Sequence, residues 1–353
     1  MNFLKEEKMK NKFLFFILFS FICLTQLSSK TITDMSNNKI VVPDKIERVF
    51  GSAPPTTFLI SLYKPDLLVG LNFPSFNMNN FGDSYYLGEK FMNLKSLGGW
   101  QGSQKGASVE MLLKLKTQII LGWNNDFLLK KMNKSLNNIN IPTVMVNGDD
   151  LEKMPETFEF LGNLFDMPKR GEELATYAQN SLEYISNMTK NIEKGKEVTF
   201  YYAEGQNGLT SDCTYSFHTT QFRYIHAKNI YECQQKDIMG MESINFESIL
   251  KADPDVIIVQ SPKFYTNIFK NPKWKMLKAV KAKKVYLVPR IPFNWIDRPP
   301  SFMRLLGIHW LSSVMYPQYY KKDINEEIKT FYKIFFKVDL DEEKLKEIKK
   351  RAF

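Results

Sequence analysis

The sequence predicts an α/β protein of two similar lobes joined by one long helix, with a ligand cleft between the lobes. Three observations carry this. The stretch VEMLLKLKTQIILGWN at 109–124 returns as FESILKADPDVIIVQS at 246–261, and each copy reads as a short amphipathic helix running into a buried parallel strand. Between the copies, 167–195 carries an apolar stripe at helical spacing through Leu174, Ala178, Ser181, Leu182, Ile185 and Met188. The chain of 353 residues exceeds what one core organises and suits two domains.

Glu110 aligns with Glu247, Leu113 with Leu250, Lys114 with Lys251 and Ile120 with Ile257. The apolar positions between agree as well: Leu112 with Ile249, Ile119 with Val256, Leu121 with Ile258. A repeat at this long period means two related lobes, and ligands sit in the cleft that two lobes make.

The first residues read as an export signal. Lys5, Lys8, Lys10 and Lys12 precede the apolar run FLFFILFSFICL at 13–24, and the small polar exit TQLSSK follows. A dozen helical residues span roughly 18 Å, short of the ~30 Å hydrocarbon core, so a cleaved signal at 1–29 is expected over a membrane anchor. Ile22 and Phe21 stand before Cys23, where a lipoprotein signal wants a small residue. Periplasmic localisation is the expectation.

TITDMSNNKIVVP at 31–43 reads as a hairpin, ERVFG as a strand, and TTFLISLY as a helix opened by Pro54 and Pro55. DLLVGLNF at 66–73 reads as a buried strand, 74–97 as irregular, and GGWQGSQKG at 98–106 as a glycine-rich turn. A helix at 126–137, a strand at 142–147 and a helix at 151–165 complete a lobe spanning 30–166. In the connecting helix at 167–195, Pro168 lies near the start and Gly195 at the end. About 24 helical residues reach ~36 Å, the length of a strut. The second lobe, 196–353, opens with the strand EVTFYYAEG and a loop to His218. A helix at 219–227, the second repeat copy, helical NPKWKMLKAVKAKK and the strand KVYLVPR follow. The loop PFNWIDRPP at 292–300 and the helices at 301–317, 323–336 and 341–351 close it.

The net charge is +10, but the lysines are spread, and KAVKAKK at 278–284 is the one basic tract. That pattern fits a solvated surface rather than a nucleic-acid partner. Cys213 and Cys233 remain after the signal. In an exported chain a disulfide between them is expected, with two separately buried thiols as the alternative.

No GxSxG elbow, HExxH helix, phosphate-binding glycine loop or GxGxxG fingerprint is present. The chain holds three histidines. His309 shares a helical face with Phe302, Leu305 and Leu306 and reads as core. His226 reads as a surface cap at a helix end. His218 lies between a strand end and a helix start, which in an open α/β lobe faces the crevice. The other ligand-binding candidates also sit at strand ends: Trp100, Trp123, Tyr202, Arg290, Trp295 and Arg298. Aromatic rings supply stacking and guanidinium groups a fork for an anion; packing within or between the lobes is the competing role for the rings.

With these residues in view, the chain resembles the class III, helical-backbone substrate-binding proteins of ABC importers. The carriers are TITDMSNNKIVVPDKIERVFGSAPP, DLLVGLN, the two helix-strand copies, the long central helix, SFHTTQFRYIHAKNI and VYLVPR. The resemblance implies two Rossmann-like lobes bridged by one helix and no enzymatic activity. It implies no intrinsic cofactor; the cargo would be a ferric siderophore, nickel or other metal chelate, haem or cobalamin, with a molybdate-like oxyanion as the alternative. A periplasmic metal chelatase is the enzymatic alternative, for which His218 alone is well placed. Partners would be a permease and an ATPase, with the receptor a monomer. In the family an early glutamate in each lobe docks to the permease; Phe58 and Thr220 stand at those positions here. His218 matches a histidine that can ligate metal in iron-catecholate binders, while no tyrosine matches its usual partner.

Overall fold

The computed structural model describes residues 28–353 apart from 75–83, 102–105, 125, 138, 234–239 and 351. The signal-segment reading, Cys23 included, and much of the glycine-rich turn lie outside the described residues.

Strands β1 (Ser29–Thr33) and β2 (Lys39–Pro43) form the expected antiparallel hairpin, Thr31 opposite Val41. Asp34 closes its turn by accepting the Ser36 and Asn38 amides at 3.0 and 2.8 Å. The other Asp34 oxygen accepts the Met145 amide at 3.1 Å and ties the hairpin to the first lobe. Then come β3 (Val49–Gly51), α1 (Pro54–Ser61), α2 (Ser84–Met92), α3 (Val109–Lys114) and β4 (Ile119–Trp123). Helices α4 (Asp126–Leu136) and α5 (Met154–Leu164) flank β5 (Thr143–Val146). Strands β3, β4 and β5 pair in that order, all parallel.

Helix α6 (Pro168–Thr189) is the strut, 22 residues long. Every member of the stripe from Leu174 to Met188 is buried along it. Beyond it lie β6 (Thr199–Ala203), β7 (Thr210–Ser211), α7 (Thr220–Tyr224), β8 (Lys228–Asn229), β9 (Glu242–Ser243), α8 (Phe246–Ala252) and β10 (Val256–Val259). Helices α9 (Pro262–Ile268) and α10 (Lys278–Lys281) precede β11 (Val285–Leu287). The second sheet is parallel in the order β11-β10-β6-β8. Helices α11 (Arg304–Met315), α12 (Ile324–Phe336) and α13 (Glu342–Lys349) end the chain.

The sequence repeat is a structural repeat. Its copies supply β4 and β10, which have parallel neighbours on both sides in their sheets. Ser108 caps α3 by accepting the Met111 amide, and Asn245 caps α8 by accepting that of Ser248. Glu110 and Glu247 sit in the first turns, Lys114 and Lys251 in the last, each matched to the helix dipole. Even the turn recurs: the aligned residues Lys116 and Asp253 both take positive φ, 52° and 41°.

The strands alternate between two cores. Ile119 and Leu121 of β4, and Val256 and Ile258 of β10, face one central core containing the strut. Ile120 faces an outer core of the first lobe, and Ile257 and Val259 one of the second.

Three segments differ from expectation. At 66–73 the chain makes a short 3-10 turn, Pro65–Leu67, and two isolated bridges, Val49 to Leu68 and Leu71 to Ser96. The Leu67 and Leu68 amides bond back to the Lys64 and Pro65 carbonyls at 3.0 and 3.1 Å, so the start of the segment is spent on the turn and not on a ladder. Within the stretch read as irregular, α2 forms and breaks at Gly88, whose φ is 75°. The helix read across 271–284 is a 3-10 turn, Trp274–Met276, followed by α10, with Leu277 extended between them. The terminal helices, grouped by sequence with the second lobe, also pack onto the first: Phe335 meets Phe158 at 5.9 Å and Tyr332 meets Tyr86 at 5.4 Å.

Candidate functional site at the seam of the lobes

Parallel strands present their C-terminal ends, and the loops that follow them, to a common crevice. In the first lobe β4 ends on Trp123, 8% exposed. Its amide donates to Ser52 Oγ, and its indole Nε1 donates to Asp149 Oδ1, both at 2.9 Å. The ring meets Phe217 of the second lobe edge-on at 6.3 Å. Burial raises the Asp149 carboxyl above its ordinary range, opposed by Arg304 and the Trp123 hydrogen bond.

In the second lobe β6 delivers Tyr202, β10 runs into Gln260, and β11 leads to Arg290. Gln260 donates its amide to the Tyr202 hydroxyl. Its Oε1 accepts from Asn294 at 2.8 Å and from Arg290 at 3.0 Å. Arg290 is half-buried, its Nε is buried without a hydrogen-bond partner, and no carboxylate pairs with it among the described residues. Burial lowers its pKa, so the site works against its charge.

Arg298 is held differently. Its Nε lies 2.6 Å from Glu204 and its Nη2 2.5 Å from Asp212, both carboxylates buried. Burial lifts Glu204 to about 9, helped by its hydrogen bond to Asp212. Burial would raise Asp212 too, but that hydrogen bond and the charges of His218 and Arg298 bring it below its ordinary value. The pair shares one proton beside one guanidinium. Asp212 precedes Cys213, which is joined to Cys233 with a Cα–Cα distance of 5.3 Å.

His218, 5% exposed, packs against Phe217 at 3.8 Å, and its Nδ1 pairs with Asp297. Asp297 also accepts from Arg304 at 3.0 Å. Arg304 reaches the Asp149 carbonyl at 2.6 Å and the Phe217 carbonyl at 3.0 Å. Sequence reasoning missed Asp149, Gln260, Asp297 and Arg304; for Asp297 the signal was at hand, since it lies in the loop PFNWIDRPP already singled out, beside the candidate Asn294.

The seam thus gathers Trp123, His218, Arg290 and Arg298, with Tyr202 joined to it from the central core through Gln260, and the other two candidate tryptophans stand elsewhere. Trp100 is fully buried in the outer core of the first lobe, edge-on to Phe50 at 6.0 Å. Trp295 is fully buried in the central core and donates to the Ile291 carbonyl at 3.2 Å. His309 is core, as expected, and His226 is exposed with φ 56° just after α7. Phe58 is buried and stacks on Phe293 at 3.9 Å, while Thr220 opens α7 and donates to the Phe217 carbonyl at 2.9 Å. No group of three or more His, Cys, Asp or Glu suited to a metal ion occurs among the described residues.

Two parallel-sheet lobes, one helical strut and polar groups gathered at the strand ends define a two-lobed ligand receptor. Residues 101–292 match the periplasmic binding protein family, and the chain belongs to it, in the class III, helical-backbone type that serves ABC transporters. An ABC transporter solute-binding protein from Sulfurospirillum deleyianum is 41% identical and superposes over 91% of this chain and 99% of that one, with a TM-score of 0.86. The molybdate-binding protein MolA of Haemophilus influenzae is 25% identical, covering 91% of this chain and 96% of its own. The structure of MolA bound to molybdate superposes over 88% of this chain and 99% of that one, with a TM-score of 0.72 at 21% identity. Among the described residues no helix is long and apolar enough to cross a membrane.

Proposed function

We propose that this protein is the exported, periplasmic receptor of an ABC importer, capturing a small oxyanion of the molybdate class between its lobes and delivering it to a permease. The observation that carries this reading is Arg290. A guanidinium half-buried without a countercharge is unfavourable until an anion arrives. Its neighbours Gln260, Asn294 and Tyr202 are neutral hydrogen-bonding groups, suited to holding anion oxygens without repelling them. Arg298 is already neutralised by Glu204 and Asp212 and braces the loops. Trp123 and His218, at the seam, form the remaining walls. The molybdate-binding relative supports the same ligand class. A bulky metal chelate calls for a broad aromatic surface, and Trp100 and Trp295 spend theirs in cores. The protein acts by binding and release, without catalysis.

Calorimetry tests this with sodium molybdate, tungstate, sulfate and phosphate beside ferric and nickel chelates. Molybdate or tungstate is expected to bind at sub-micromolar Kd. Arg290→Met is expected to weaken it about 10- to 100-fold, the loss of a charge-assisted hydrogen bond. Tight binding of a chelate with no heat from any oxyanion would overturn the reading.

A further inference from the structure

We propose that Arg304 is the latch between the lobes: a positioning residue that fixes the width of the cleft and, through Asp297, the orientation of His218. Arg304 opens α11 and is 1% exposed. Its guanidinium makes four hydrogen bonds that converge from separate parts of the fold. Nη1 reaches the Asp149 carbonyl of the first lobe at 2.6 Å. Nη2 reaches the Phe217 carbonyl and Asp297 Oδ1 of the second lobe, both at 3.0 Å, and Nε reaches the Ile296 carbonyl at 3.1 Å. Only a planar fork satisfies several acceptors lying in different directions; an ammonium is a single point. A buried guanidinium is stable where such acceptors and a countercharge surround it, and Asp297, fully buried, is that countercharge.

The latch does not end at Arg304. On the first-lobe side, the Asp149 carboxylate is held by Trp123 Nε1, so the acceptor loop is fixed to the end of β4. On the second-lobe side, Asp297 shares its carboxylate between Arg304 and His218 Nδ1. The Asp297 amide donates to Asn294 Oδ1 at 3.1 Å, and Asn294 donates to Gln260 Oε1, which accepts from Arg290. One chain of hydrogen bonds therefore runs from the first lobe to His218 and to Arg290, two of the proposed ligand contacts. Separating the lobes breaks this chain at the Asp149 carbonyl and frees Arg304 and Asp297 to shift, carrying His218 with them. The effect on ligand rests on the oxyanion reading; the effect on lobe spacing does not.

Spin labels at Leu113 and Met276, exposed positions on opposite lobes, report the interlobe distance by pulsed resonance. In otherwise unaltered protein the distribution is expected to be narrow with or without molybdate. Arg304→Met is expected to broaden it without ligand, to let it narrow again on saturation with molybdate, and to lower affinity about 10-fold or more. A merely structural role would lower the melting temperature and leave the distribution of the folded protein unchanged. A folded Arg304→Met with the original width overturns the latch. Where that variant does not fold, Arg304→Lys decides. It keeps the countercharge for Asp297 but cannot span the Asp149 and Phe217 carbonyls, so it should broaden the distribution, and an unbroadened one overturns the latch. Protein with native Arg304 that binds no oxyanion sinks the functional reading alone, and the ligand-free widths still decide the latch.

Discussion

Glu204 and His309 are both buried, and burial acts on them in opposite senses. His309 stacks on Tyr184 and hydrogen-bonds Tyr320, and burial holds its pKa at about 4, against an ordinary 6.5. Between those values the unfolded chain takes up a proton that the folded chain refuses. Stability therefore falls as pH drops through that window, by up to about 3 kcal/mol. Glu204 moves from 4.5 to about 9, so the folded chain keeps a proton that the unfolded chain loses, and stability falls as pH rises between them. Of the two, Glu204 alone acts above 6.5. Melting temperature against pH should pass through a maximum, with His309→Gln flattening the acid limb and Glu204→Gln the alkaline one. An alkaline limb unchanged in folded Glu204→Gln protein would show that Glu204 is not its source. At this scale the sequence was half legible. His218 and the arginines stood out because strand ends are readable from hydropathy. Asp297 and Arg304 matter through partners 79 and 155 positions away, and no local pattern encodes a hydrogen bond of that span.

Elements were more legible than residues wherever periodicity ran long enough. The strut and both repeat copies declared themselves, because burial on one helical face or within a sheet imposes a pattern on many consecutive positions. The turn at 66–73 did not, since a short apolar run reads alike whether it forms a ladder or two bridges. The contact between α5 and α6 was also invisible, being made by what is absent. A Cβ on Gly171 would lie 2.7 Å from the Phe158 carbonyl oxygen, and one on Gly162 would lie 2.8 Å from the Gly171 Cα. These helices touch backbone to backbone, seating the foot of the strut on the first lobe. Gly171→Val should force them apart and cost about 1–3 kcal/mol, read as a lower denaturation midpoint with unchanged slope. Gly195→Val, where a Cβ meets nothing within 4 Å but φ is +83°, is the control for backbone strain without crowding. Equal losses in the two variants would argue against a packing role for Gly171.

At the scale of the whole molecule, the lobes share more than a strut. The central core takes Phe58 and Leu121 from the first lobe, Phe200 and Ile258 from the second, and Phe331 and Phe335 from α12. Arg170, at the foot of the strut, donates to the Leu62 carbonyl at 3.0 Å and to the Ile334 carbonyl at 2.7 Å, binding the first lobe to the end of α12. Tyr177 donates to Glu327 at 2.5 Å, fastening the strut to the same helix. Opening the cleft by a large hinge motion would expose this shared apolar surface at about 25 cal/mol per Å² and strain the strut. Ligand should then bind with little change of shape. Scattering profiles with and without saturating molybdate should superpose, and calorimetry should record one cooperative unfolding transition, because neither lobe retains a complete core without α12. Two resolved transitions, or a marked fall in radius of gyration on binding, would mean the lobes are joined by the strut alone.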